Sequence, residues 1–125
     1  MNENEIAKII VDACVKVHKA LGPGLLESVH EEVLAYELRK RGLTVDQQNP
    51  LPVIYDEVTM KVGFRIDLLV NNKVIVEIKS VERTTPLFFK ITTNYLNLSE
   101  RKLALLVNFN VELIKNGIRR IVNNL

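Results

Sequence analysis

The sequence is short of the features that mark several classes of protein. Its one cysteine, Cys14, has no partner for an internal disulfide, and at helical spacing from Ile10 and Val17 it reads as a small buried hydrophobe. No apolar run approaches the ~18 residues that span a bilayer. The opening MNENEIAKII is acidic where a signal peptide is basic. These absences predict a soluble, cytoplasmic chain with no membrane partner. The two histidines, His18 and His30, fall in no zinc-ligand spacing, and there are no repeats, linkers or low-complexity segments.

What is present is ordinary for one domain with one core: 125 residues, 47% apolar and 26% charged. The net charge of +2 is too small to call for a polyanionic partner, but the charge is unevenly spread. Residues 1–78 carry nine Lys or Arg against twelve Asp or Glu, whereas residues 79–125 carry eight against three. The second half can face phosphates, although solvated surface is the simpler account of Arg101, Lys102, Arg119 and Arg120.

Ile6, Ile9, Ile10, Ala13, Cys14, Val17 and Leu21 fall on one helical stripe, capped by Asn4 or Asn2 and broken by the GPG at 22–24. A second helix is predicted over about 25–41, ended by Gly42 after a basic run. Strands follow at 43–48 and 53–55, interrupted by Pro50 and Pro52, then across an Asp56-Glu57 turn at 58–70, and at 74–80. Pro86 suits the start of a third helix over 87–98, weakened by Thr92 and Thr93. LALLVNF at 103–109 suits a strand covered on both faces, with a short element packing back after it. The order is ααβββαβ, a mixed α/β domain spanning the chain.

Within DLLVNNKVIVEIKS, residues 67–80, three charges sit inside two apolar strands. A two-residue turn at Asn71-Asn72 sends Asp67 and Glu77 to opposite faces. A three-residue loop at 71–73 pairs Val70 with Val74, sets Asp67 opposite Glu77, and gathers Ile66, Leu68, Val70, Val74, Val76 and Ile78 on one face. The apolar pattern selects the second register. Lys79 then lies two residues further along the acid face. Two carboxylates so close repel unless one is protonated or a cation lies between them. A divalent metal and a structural ion pair with Lys79 both answer that requirement, and oxygen ligands favour a hard ion such as Mg²⁺. Glu27, in the first turn of the second helix, is a third available acid, which the helix dipole alone also explains. His30 shares its face as a substrate contact or a solvated residue.

Taken in order, the segments GPGLLESVHEEVLAYELRKRGL, YDEVTMKVGFRIDLLV, VIVEIKSV and LALLVNFNVELIKNGIRRIV resemble the GxxExxY proteins. That bacterial and archaeal group is assigned to the PD-(D/E)xK nuclease superfamily, and the resemblance runs from about Ile6 to Val122. It implies a restriction-endonuclease-like core, a mixed β-sheet flanked by α-helices. By this resemblance Asp67 matches the motif aspartate, Glu77 and Lys79 the ExK pair, and Glu27 the helix glutamate. His30 stands where the group has Tyr. Phe88 and Ile91 stand where many relatives carry His and Gln, leaving Tyr95 from that helix pattern.

The implied activity is hydrolysis of phosphodiester bonds in nucleic acid, DNA being the expected substrate. Glu27, Asp67, Glu77 and the Ile78 carbonyl would hold Mg²⁺ or Mn²⁺, and Lys79 would orient the attacking water. His30, Lys90 and Tyr95 are the expected substrate contacts, with Arg101 and Lys102 along the backbone. The competing reading is an impaired nuclease fold that binds nucleic acid or a protein, and a homodimer is compatible with either.

Overall fold

The computed structural model describes residues 1–125. Helix α1 (Glu3–Leu21) starts at a reciprocal cap. The Asn2 side chain accepts the Glu5 amide at 2.9 Å, and the Glu5 carboxylate accepts the Asn2 amide at 3.1 Å. It stops at Gly22, whose φ of 70° lies in the left-handed region that a side chain disfavours. Helix α2 (Glu27–Lys40) packs beside α1, and the buried Glu37 carboxylate ties the two by accepting from Lys16 at 3.0 Å and Arg41 at 3.2 Å.

The chain then forms β1 (Val45–Leu51), a small hairpin of β2 (Ile54–Tyr55) and β3 (Val58–Thr59), β4 (Phe64–Val70) and β5 (Val74–Lys79). Helix α3 (Pro86–Ser99) crosses over to β6 (Leu103–Asn108), and a 3₁₀ turn at Ile114–Asn116 leads into β7 (Ile118–Val122). Five strands make the main sheet in the order β1-β4-β5-β6-β7, with β5 and β6 parallel and the other pairs antiparallel. A parallel pair needs a long crossover, and α3 supplies it. Strand β6 is buried along its whole length and β5 up to Ile78, which explains their unbroken apolar runs. The larger core cluster lies where α1 and α2 cover the sheet, and a smaller one, containing Leu96, lies under α3. No helix is long and apolar enough to cross a membrane.

The mixed sheet and its flanking helices agree with the expected architecture, but the element order is richer than ααβββαβ. The Asp56-Glu57 turn (φ 54° and 63°) closes the β2–β3 hairpin, but the run predicted over 58–70 divides, because β3 ends at Thr59 and residues 60–63 form no strand before β4 begins at Phe64. Strand β1 continues through Pro50 to Leu51, which an edge strand tolerates because its outer N–H groups need no partner. The tail adds a second edge strand, β7.

The β4–β5 register is the one with a three-residue loop: Val70 pairs Val74, Leu69 pairs Ile75 and Leu68 pairs Val76. Asn71 and Asn72 turn the chain at φ 50° and 56°, values that Asn tolerates. One detail of the predicted face is wrong. Ile66 leaves the α1/α2 cluster and joins Leu51, Leu69, Ile75 and Leu96 on the α3 side. Val45 and Leu51 of β1 divide between the two clusters in the same way. The paired strands β1 and β4 thus change face together, around Gln48 and Asp67. Gln48 has φ 51°, the one positive φ inside a strand.

Candidate active site

That change of face shapes the surroundings of Asp67. The β4–β5 ladder ends at Leu68–Val76, and the next β5 amide on that side, Ile78 N–H, donates to Asp67 Oδ2 at 2.8 Å. Gln48 Nε2 donates to Asp67 Oδ1 at 3.3 Å and to Glu31 Oε1 at 2.7 Å. Both oxygens of Asp67 are therefore oriented by groups on neighbouring strands.

Glu77 is only 5% exposed, and its Oε1 has no hydrogen-bond partner. Burial, reinforced by the charge of Asp67, pushes its carboxyl up to about 9, with Lys79 opposing the shift. With no divalent cation beside it, a carboxyl in this setting favours its protonated form at neutral pH. Lys79 places its ammonium 4.9 Å from the centre of the Phe88 ring, a cation–π contact that keeps the charge near the site without a carboxylate partner. Ile78, between them, is buried in the core.

Glu27 is exposed in the first turn of α2. Its Oε1 accepts the Ser80 amide at 3.1 Å, while Ser80 Oγ donates to the Leu25 carbonyl at 2.7 Å. These bonds tie the start of α2 to the end of β5. They do not gather Glu27 with Asp67 and Glu77, for no three Asp, Glu, His or Cys side chains lie close enough to hold one ion. The structure thus brings together two acids and the ExK lysine, with the third acid held one contact away.

Tyr95 is half-buried, tilted against Phe64 at 5.3 Å between ring centroids. Burial and the charges of Glu77 and Asp67 hold its hydroxyl above the usual range, which places it in the field of the acid pair. Ile91 is half-buried on the same side of α3. Lys90 is exposed and lies two residues from Phe88, about 200° around the helix, so it points away from the site. Arg101 and Lys102 precede β6 at the opposite end of the sheet. Arg101 bonds the Asn72 carbonyl at 3.2 Å and its side-chain oxygen at 2.6 Å, so neither residue borders Asp67.

His30 corrects the expectation of a solvated or substrate-facing residue. It is fully buried and stacked on Phe109, with ring centroids 4.4 Å apart and planes 9° apart. Nε2 meets the Gly22 carbonyl at 3.2 Å, and Nδ1 has no partner. Desolvation holds its pKa below the ordinary value, so the ring is neutral. The position of the group's Tyr is an interior aromatic slot here, because residues 30, 34 and 38 share the inward side of α2. His18 is equally structural, Nε2 lying 2.7 Å from the Val111 carbonyl.

Two polar residues near the site escaped the sequence reading. Gln48 is one, and an amide side chain in an edge strand gives no motif signal. Asn108 is the other: its side chain accepts the Val81 amide at 3.1 Å and donates to the Val81 carbonyl at 2.9 Å, which fixes the chain just beyond Lys79. Its one sequence signal was a polar residue inside an apolar run.

A family model described as the PD-(D/E)XK nuclease superfamily matches residues 4–121, and the chain belongs to that superfamily. The five-stranded mixed sheet flanked by helices is a restriction-endonuclease-like fold. Members are nucleases, which act on nucleic acids and generally use divalent metals. No curated protein and no solved structure matches the chain.

Proposed function

We propose that this is a cytoplasmic, metal-dependent nuclease of the GxxExxY group that hydrolyses phosphodiester bonds, most naturally of DNA. The observation that carries the reading is the Asp67–Glu77 pair. A buried carboxyl with an orphaned oxygen beside a second, oriented carboxylate is costly for a scaffold and suits a hard divalent cation. Asp67 and Glu77 would hold Mg²⁺ or Mn²⁺ with the Ile78 carbonyl, and Glu27 would join on leaving the Ser80 amide. Two carboxylates with water and substrate phosphate completing the shell are a usual Mg²⁺ set.

A bound divalent ion lowers the pKa of a coordinated water and offsets charge on the phosphate. The protein's own contributions are separate. Ile78 N–H and Gln48 fix the Asp67 carboxylate; Glu77 gives up its proton to become a ligand; Lys79, within reach of the same face, orients the nucleophilic water. Tyr95 lines the approach for substrate, and no base-reading motif is present, so selectivity rests on shape.

Incubation of the purified protein with linear, single-stranded and branched DNA and with RNA, in Mg²⁺ or Mn²⁺ and then in chelator, tests the reading. Chelator-sensitive cleavage that Asp67→Ala abolishes is expected. Its absence on every substrate rejects the nuclease. The second reading, an impaired module that binds without cutting, is favoured by two observations: Phe88 occupies the Lys79 ammonium, and Glu27 is engaged at Ser80. It predicts binding of the same nucleic acids with no cleavage in any metal.

A further inference from the structure

Beside the acid pair lies a feature that the proposed chemistry does not use. The end of β1 and the loop leading into β4 enclose an open cleft of about 420 Å³, lined mainly by Leu51, Pro52, Met60, Lys61, Phe64 and Arg65. Its floor is fixed by a close approach: a Cβ on Gly63 would stand 2.6 Å from the Leu51 carbonyl oxygen, so only glycine lets the two backbones meet there. The walls are part apolar and partly uncovered, with Phe64 41% and Met60 38% exposed. Every charged residue that lines the cleft is a cation, and both cations are exposed.

We infer that this cleft takes one unpaired base of a nucleic-acid strand, stacked against Phe64, with the adjoining phosphates met by Lys61 and Arg65. An aromatic face flanked by cations is how single strands are held without sequence readout, because every base has a π-face and every nucleotide a phosphate. The cleft also connects to the acid pair through neighbouring side chains and along β4. Phe64 packs on Tyr95, whose hydroxyl feels Glu77 and Asp67, and Arg65 donates to the Gln48 carbonyl at 3.4 Å. Asp67 is three residues along β4 from Phe64, about 10 Å. A strand anchored by a base in the cleft can therefore extend to the two carboxylates.

The surrounding apolar surface, which includes the exposed Ile54, Tyr55 and Val62, also invites a second copy of the chain. A two-fold contact would set each patch against itself and bury the Lys61 and Arg65 cations of both copies in one interface. Like charges oppose that arrangement, whereas a phosphate strand complements it.

The inference rests on the nuclease reading only for the direction of the strand, and the test separates the two. The full chain, in excess chelator so that nothing is cut, is titrated against an oligonucleotide carrying 2-aminopurine, as a single strand and within a perfect duplex. Fluorescence and anisotropy report stacking and affinity. The single strand is expected to bind tighter than the duplex and to be quenched on binding. Phe64→Leu, which keeps the bulk and removes the ring, should abolish the quench and weaken single-strand binding about tenfold. Lys61→Ala with Arg65→Ala should lower the slope of log affinity against log salt by about 1.4, at ~0.7 per single-strand phosphate contact. An unchanged quench and affinity in Phe64→Leu, or no quench with any single strand, overturns the inference. A dimer in sedimentation that Phe64→Leu dissociates without altering nucleic-acid affinity overturns it equally. Loss of cleavage on all substrates with the Phe64-dependent quench intact rejects the nuclease and leaves the base site standing.

Discussion

The Ile78 amide donates to the Asp67 carboxylate at 2.8 Å, two residues beyond the last β4–β5 pair. A side chain there replaces the main chain as acceptor, so the strands separate without leaving a buried donor unpaired. Asp67 is thus both a candidate ligand and part of the sheet. Asp67→Ala should lose cleavage and also cost about 1–3 kcal/mol, because the Ile78 N–H then lacks an acceptor. Asp67→Asn keeps an acceptor oxygen and should stay within about 1 kcal/mol of the native chain while still losing cleavage. Urea unfolding alongside a cleavage assay separates the two effects.

Glu77 gives the chain a pH dependence of definite sign. Its carboxyl, raised to about 9, keeps its proton in the folded chain while the unfolded chain releases it near the ordinary glutamate value. Folded stability from this group is therefore greatest below that value and declines as pH rises toward 9. Glu77→Gln should melt close to the native protein at pH 4.5 and ~5 °C or more above it at pH 8. Mn²⁺ should raise the native melting point more at pH 8 than at pH 6, since binding must displace the proton, and should leave the variant unmoved. Parallel melting curves across this range would contradict the assigned environment.

Gln48 combines a backbone outlier with a contact to the site. Glycine adopts φ 51° freely, so Gln48→Gly should hold its melting temperature within ~3 °C, while loss of the amide that orients Asp67 weakens Mn²⁺ binding about tenfold. Gln48→Val, β-branched at the same φ, should lose ~2 kcal/mol. Calorimetric Mn²⁺ titration with thermal melts distinguishes positioning from folding: a purely structural role would leave the glycine variant's affinity unchanged.

The stack of His30 on Phe109 makes position 30 a packing position. His30→Phe removes the unpartnered Nδ1 and keeps the stack while losing the hydrogen bond to the Gly22 carbonyl, and with these effects opposed it should fall within ~1 kcal/mol of native stability with nucleic-acid binding intact. His30→Ala opens a cavity in the core and should cost ~3 kcal/mol. A selective loss of binding in the phenylalanine variant at native stability would show that the imidazole does more than pack.

Much of the fold was legible because it is written in local patterns. The cap at Asn2, the stop at Gly22, the Pro86 start of α3 and the buried run of β6 follow from dihedral preference and apolar spacing. Even Thr92 and Thr93, poor helix formers, are accommodated locally: each hydroxyl donates to the carbonyl four residues back. The break of the 58–70 run was missed because β3 is two residues long, too short to show a period of its own.

For the candidate site, apolar spacing along the chain settles the register, since only a three-residue loop buries the apolar residues of β4 and β5 and so faces Asp67 toward Glu77. It also settles that Lys79 follows on the same face. What surrounds those charges comes from packing between distant elements: Gln48 reaching Asp67 from β1, Phe88 under Lys79, Ser80 holding Glu27, and His30 inside the core. Periodicity along one chain fixes which way a side chain points relative to its neighbours in the same strand or helix. What it meets there depends on how distant elements pack, and the helices and the edge strand that meet at Asp67 come from separate parts of the chain.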